Sequence, residues 1–319
     1  MVELTRAFSF SLKPTPPYNF ELTVRKPAGW DLFTPFEIYQ DGVLSTALHV
    51  GDMLVGLRLS SMGTADRPEV RAKLFTEREL EPTQKRLAKQ SVSRMLGAED
   101  DLAEFYAVAR RDPILRHTLE DLSGMHDTYS DGVFGPALLA ICLQMAPLKR
   151  SEAMMRSIIE IYGEVAEFDG KRVSVWPLPK RMAALEPVEL ARTCRLGYRA
   201  KRIVELANFL VDRGFPDMGE LAKLPPEDAK RRLMELPGIG DYSADIINPR
   251  SGFPIDVWSV DVFGKLFYGR EPKNARAAVE RVKAEGVRRW GEWSWMAFFY
   301  IAQDLRNLSK KLGVRLRLQ

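Results

Sequence analysis

Apolar and polar residues alternate near the start of the chain. Phe8, Phe10 and Leu12 are separated by Ser9 and Ser11, and Phe20, Leu22 and Val24 repeat the pattern. A period of two predicts strands with one buried face. Two apolar runs, Val43 to Val50 and Met53 to Leu59, are joined by Gly51-Asp52, as in a hairpin. From Thr83 to Met95 the spacing becomes helical, and Gly97-Ala-Glu-Asp-Asp101 marks a boundary. Beyond it the chain reads as helices: Leu102 to Arg110, Pro136 to Met145, Glu152 to Tyr162, Pro187 to Cys194, Ala200 to Val211 and Pro226 to Met234. The cleanest stripe is Ile203, Leu206, Ala207, Leu210 and Val211, with Lys201, Arg202 and Arg213 outside it. Phe168 to Pro179 reads as a turn-rich connection, and Ala277 to Glu285 and Trp293 to Leu305 supply the last helices. The pattern predicts an α+β chain: a small antiparallel sheet with a helix on one face over residues 1–98, then a mainly α-helical unit over 99–319.

The helical unit is interrupted once in a telling way, by Leu236-Pro-Gly-Ile-Gly-Asp-Tyr-Ser-Ala-Asp245. Pro237 and Gly238 end the pattern of Leu233-Met234, and Gly240 suits a left-handed or tight backbone. A new helix starts near Asp241-Tyr242, so residues 230–247 form a hairpin between two helices. The turn (Gly238, Ile239, Gly240 and Tyr242) places free amides at a helix start, where an anion such as phosphate is favoured. Its carbonyls suit a monovalent cation. Glycines also simply end helices, so the turn alone has an ordinary structural reading. Further on, Phe253-Pro-Ile-Asp-Val-Trp-Ser-Val-Asp-Val-Phe-Gly-Lys-Leu-Phe267 sets Asp256 and Asp261 in apolar surroundings. A carboxylate there is costly unless it caps a helix or does chemistry.

Leu-Pro-Gly-Ile-Gly followed by this aspartate and an apolar helix resembles the helix-hairpin-helix DNA glycosylase superfamily, and within it 3-methyladenine DNA glycosylase II and the 8-oxoguanine DNA glycosylases. The resemblance implies a TBP-like N-terminal domain without chemistry of its own and a helical catalytic domain. It implies a catalytic aspartate, favouring Asp261 by its spacing of nineteen residues from Tyr242. Asp256 is the rival, because Pro254-Ile-Asp256-Val matches a pattern of the 8-oxoguanine branch. Bifunctional members carry a nucleophilic lysine where this chain has Tyr242, which cannot form a Schiff base. Lys265, one turn after Asp261, resembles a supporting lysine of the monofunctional branch. Ile141-Cys-Leu-Gln-Met-Ala-Pro147 resembles the segment carrying an intercalating side chain, with Met145 as wedge and Gln144 facing the orphaned base. Each has an ordinary alternative, such as a core methionine near a helix end. Leu196-Gly-Tyr-Arg-Ala-Lys-Arg202 resembles the 8-oxoguanine branch. Tyr129, Phe134, Tyr242 and Trp258 are the aromatic candidates for a base pocket.

The expected activity is monofunctional excision of a damaged purine, with alkylated bases preferred and no lyase step. An 8-oxoguanine glycosylase or a non-catalytic DNA clamp is the alternative. Composition is compatible with this: 319 residues, 45% hydrophobic, 28% charged and a net charge of +4. The isolated Cys142 and Cys194 cannot supply a four-cysteine iron–sulfur cluster, and three scattered histidines make no metal site. No cofactor is therefore expected beyond a Na+ or K+ ion at the hairpin. The sequence lacks a signal pattern and a bilayer-length apolar run. The expected partner is double-stranded DNA containing a damaged base, bound by a cytoplasmic, nucleoid-associated monomer.

Overall fold

The computed structural model describes residues 1–28, 36–130, 132–248, 250, 252–257 and 259–316. The N-terminal part contains β1 (Val2–Glu3), β2 (Arg6–Leu12), α1 (Phe20–Arg25), β3 (Ile38–Gln40), β4 (Val43–Val50), β5 (Met53–Ser61), β6 (Val70–Thr76) and α2 (Pro82–Met95). The helical part begins with α3 (Ala103–Arg111), α4 (Leu115–Leu122), α5 (Phe134–Leu143) and α6 (Leu148–Tyr162). A hairpin, β7 (Glu164–Phe168) and β8 (Lys171–Val175), follows. Then come α7 (Pro179–Ala183), α8 (Pro187–Thr193), α9 (Arg199–Arg213), α10 (Met218–Leu221), α11 (Pro226–Leu233) and α12 (Asp241–Ile247). The last helices are α13 (Val260–Tyr268), α14 (Ala275–Trp290), α15 (Ser294–Gln303) and α16 (Leu305–Lys311). No helix among the described residues is long and apolar enough to cross a membrane.

The first sheet is antiparallel with order β2-β6-β5-β4-β3, and the Gly51-Asp52 hairpin runs in register from Val43↔Ser60 to Val50↔Met53. Leu57, Leu59, Ala72 and Leu74 pack on Ala88 and Val92 of α2 and on Phe20 and Val24 of α1. Two expectations need correction. Phe20 to Val24 is helix rather than strand: Asn19 caps it by accepting from the Leu22 amide at 3.1 Å. Phe20, Thr23 and Val24 then fall on one buried face, a helical spacing that alternation concealed. Residues 168–179 are not simply a connection. They contain β8, and the β7–β8 hairpin lies on the outer face of the sheet, with Phe168 5.0 Å from Phe75 and β1 parallel to β7.

Beyond the sheet the helices build two cores. One gathers α5, α6, α9 and α12 around α5, whose residues are buried almost throughout. The other gathers α3, α4 and α13 to α16 around Phe105, Phe253, Phe263 and Tyr300. Truncating such buried side chains costs about 2–5 kcal/mol each, so both cores hold their helices firmly. The α11–α12 hairpin belongs to the first core and α13 to the second. The loop between α12 and α13 therefore crosses from one core to the other, and that seam holds the candidate chemistry.

Candidate active site

The turn between α11 and α12 takes its shape from Gly238, whose φ is +79°. A β-carbon there would stand 3.1 Å from the Arg202 β-carbon. The left-handed position is thus Gly238 and not Gly240. Gly240 is an extended N-cap (φ −109°) whose carbonyl accepts from the Ala244 amide at 2.9 Å. A side chain at Gly240 would meet no atom within 4 Å, so this side of the turn is open to an approaching group. Ile239 is buried and anchors the turn, its amide donating to the Leu236 carbonyl at 3.1 Å.

One side of α12 carries Asp241 and Asp245, and two lysines bridge both. Lys230 lies 2.6 Å from Asp241 and 2.8 Å from Asp245; Lys283 lies 2.7 and 2.9 Å away. Burial alone would raise the Asp241 carboxyl, but bonds from the two lysines hold it below the ordinary value. For Lys283 the opposing effects end the other way from a bare buried amine. Burial lowers it, and the bonds to Asp241 and Asp245 more than reverse that.

The other side carries Tyr242, packed against the first core. Its hydroxyl is in contact with the Asp256 carboxylate. Burial first, and then that neighbouring charge, push the phenol well above its ordinary pKa, so it stays protonated. Asp256 itself is fixed by a reciprocal turn. Its Oδ1 accepts from the Ser259 amide at 2.7 Å and the Ser259 hydroxyl at 2.8 Å, and its own amide donates to the Ser259 Oγ at 2.9 Å. Asp261, on the first turn of α13, is partly exposed and has other neighbours. Its carboxyl is raised by burial and by Glu271, with Lys265 acting against them. Lys265 in turn bonds Glu271 at 2.6 Å and the Arg315 carbonyl at 2.9 Å. Glu271 lines a cleft of about 620 Å³ with Arg270, Lys273 and Arg281, away from Tyr242 and Asp256. The structure brings Asp256, not Asp261, to the hairpin.

The turn after α5 meets the same hairpin. Met145 is 76% exposed and adopts φ +50°, a backbone state that non-glycine residues take only under constraint. Gln144 points inward. Its amide nitrogen donates to the Gly238 carbonyl at 2.8 Å and to the Ser243 hydroxyl at 3.0 Å, and its side-chain oxygen accepts from Arg202. Arg199 is buried and donates to the Gln144 carbonyl. The cations of the Leu196–Arg202 segment thus divide: Arg199 and Arg202 brace the turn, while Lys201 is exposed beside Glu205.

Of the aromatic candidates, Phe134 is buried in the same cluster that Tyr242 packs against. Tyr129 donates to Asp100 at 2.9 Å, and Arg250, from the loop before Asp256, lies over its ring and bonds Asp100. Trp258 lies outside the described residues. Ser243, Ser259 and Arg250 were not among the sequence candidates. Serine after an acidic residue and arginine in a loop are too common to single out without their partners.

No family model matches the chain. A DNA-3-methyladenine glycosylase of Bacillus subtilis is 24% identical over 208 residues, which is 64% of this chain and 67% of that one. The solved 3-methyladenine DNA glycosylase of Archaeoglobus fulgidus superposes with a TM-score of 0.75 at 20% identity, covering 94% of this chain and 99% of that one. The 8-oxoguanine glycosylase/lyase of Clostridium acetobutylicum gives 0.69 at 16% identity, covering 95% and 98%. The chain resembles the helix-hairpin-helix DNA glycosylases in sequence and shares their fold.

Proposed function

We propose that the chain is a DNA glycosylase that hydrolyses the N-glycosidic bond of a damaged purine, with Asp256 as its carboxylate. The contact of Asp256 with Tyr242 on the hairpin, beside the exposed Met145, carries this reading. Breaking the bond leaves positive charge on the sugar, which a carboxylate stabilises while it orients the attacking water. Water adds to the sugar carbon and gives up a proton to the carboxylate, and the base leaves with the bonding electrons; a base already cationic departs neutral while the proton goes on to solvent, and a neutral base takes up a proton as it leaves. The open turn at Gly238–Gly240 would hold a backbone phosphate. A Na+ or K+ ion would use carbonyls of the turn other than that of Gly238, which Gln144 already bonds. Met145 would fill the gap left by the extruded nucleotide.

An alkylated, already cationic base is the preferred substrate, because Tyr242 offers an electron-rich ring and such a base departs readily. Strand cleavage by an amine is not expected. Tyr242 replaces the lysine, and Lys283 of α14 is held in its protonated form by two aspartates. The Leu196-Gly-Tyr-Arg199 segment supports 8-oxoguanine as the second reading.

The test incubates wild type, Asp256→Asn and Asp261→Asn with duplexes containing hypoxanthine, 1,N6-ethenoadenine, a methylated adenine or 8-oxoguanine. Base release should fall roughly 100- to 10,000-fold in Asp256→Asn, with nicking dependent on alkali. Loss confined to Asp261→Asn would move the carboxylate into α13. No release from any duplex, with DNA still bound, would leave a non-catalytic clamp.

A further inference from the structure

We propose that the wedge does not read the base it leaves behind, so that the protein accepts a damaged nucleotide opposite any of the four bases. This rests on the glycosylase reading above. Extruding a nucleotide exposes the hydrogen-bonding edge of its partner, and a protein distinguishes that edge only with a donor or acceptor free to meet it. Among the described side chains that bond this turn, those groups are committed inward. Both hydrogens of the Gln144 amide are used, on the Gly238 carbonyl at 2.8 Å and the Ser243 hydroxyl at 3.0 Å, and its oxygen is held by Arg202. The Gln144 carbonyl takes Arg199 and, at 3.4 Å, the Tyr198 hydroxyl. Arg199 is only 3% exposed. The Arg202 guanidinium is held by Gln144 and also lies 4.8 Å from the centre of the Tyr198 ring.

What projects instead is a thioether, beside a tyrosine whose ring is covered by the Arg199 and Arg202 guanidiniums at 4.6 and 4.8 Å. Met145 is 76% exposed and Tyr198 50% exposed, on adjoining parts of the same surface. A flexible apolar chain packs on every base alike. Gln144 is then a positioning residue that ties the wedge to the hairpin turn, so that phosphate capture and gap filling move as one body.

The experiment titrates the full chain, at one fixed salt concentration, with four duplexes. In each a tetrahydrofuran abasic analogue faces A, C, G or T, and binding is read by fluorescence anisotropy. The four dissociation constants should agree within fivefold, whereas a hydrogen-bonding reader would spread them by roughly 5- to 150-fold. A spread of fivefold or more overturns the proposal, as does the absence of binding to all four. Gln144→Ala should weaken all four by a common factor; loss for one opposite base alone would make Gln144 a reader and also overturn it. Where that variant melts early, Met145→Ala replaces it, again with a common loss expected. Single-turnover excision of 1,N6-ethenoadenine, whose pairing edge is blocked, should likewise vary less than fivefold. Uniform abasic binding without any excision would count against the glycosylase reading and leave this inference standing.

Discussion

The two sides of α12 face opposite problems with the same residue type. On one side Asp241 and Asp245 are each met by two lysines, and Asp245 is completely buried. On the other, the donors described around Asp256 are the neutral Ser259 amide and hydroxyl and the Tyr242 phenol. A carboxylate neutralised by two ammonium groups has little field left to offer a developing cation. One fixed by the Ser259 amide and hydroxyl loses its freedom to reorient, and stabilising an oxocarbenium-like transition state calls for a carboxylate held in place. The difference teaches that seven residues of helix can be locked by one face and, on the proposed reading, serve a reaction at the other. The ion pairs hold the hairpin between α11 and α14 and so fix where Tyr242 stands.

The comparison breaks if the two sides cannot be separated by mutation. Asp256→Asn should show the largest effect on excision, with the unfolding free energy within about 1 kcal/mol of wild type, since asparagine can still accept from Ser259. Asp245→Ala should do the reverse. It removes a fully buried carboxylate and leaves two partly buried lysines with half their described partners, an expected loss of about 3–5 kcal/mol in denaturant unfolding. Excision measured well below the lowered melting temperature should survive. Equal losses of rate in both variants would mean that the helix transmits its rear charges to the site.

How much of this was legible in the sequence depended on whether the signal was local. The hairpin was, because Pro237 and Gly238 break a helical pattern that resumes at Asp241. Which glycine turns left-handed was not, since that depends on Arg202 packing against position 238 from another helix. The exposed Met145 could be expected from its place at a helix end. The inward bonds of Gln144 could not, because Gly238 and Ser243 lie about a hundred residues away. Residue counting put Asp261 ahead of Asp256. Counting says nothing about the path of the loop after α12, and that path decides which carboxylate meets Tyr242. The helix α1 and the β7–β8 hairpin were missed for similar reasons: one is set by the Asn19 cap, the other by a distant sheet face.

The locked side also has a signature in pH, smaller than that of removing Asp245. Asp241 is depressed in the folded protein, so the stability it contributes is present above its unfolded value, about 3.9. It is lost as the pH falls below that value toward the folded one. Lys283 is raised, and its contribution is present below about 10.4 and disappears only in stronger alkali. Asp241 is largely exposed, so screening limits Asp241→Asn to roughly 0.5–1 kcal/mol at pH 7. That deficit should shrink in urea titrations as the pH falls below about 3.9, and vanish once the folded carboxyl is itself protonated. A deficit that stays constant through the whole acid range would mean that packing, rather than charge, holds the hairpin on this side.

The finest test concerns the phenol that links the two sides. Tyr242 is raised well above its ordinary value by burial and by Asp256, so it donates throughout the neutral range and should add no alkaline limb to the excision profile. Tyr242→Phe keeps the ring and deletes one bond to a charged acceptor. Such a bond is worth about 1.5–3 kcal/mol, but only the part that differs between ground and transition states reaches the rate. A loss of roughly threefold to tenfold in single-turnover excision is therefore expected, with unfolding changed by less than about 1 kcal/mol. A loss as large as that of Asp256→Asn would make the hydroxyl indispensable to the carboxylate it touches. An alkaline limb that disappears in the phenylalanine variant would show that the phenol ionises beside Asp256. The front of α12 would then hold two charges and resemble its rear more closely than the distances suggest.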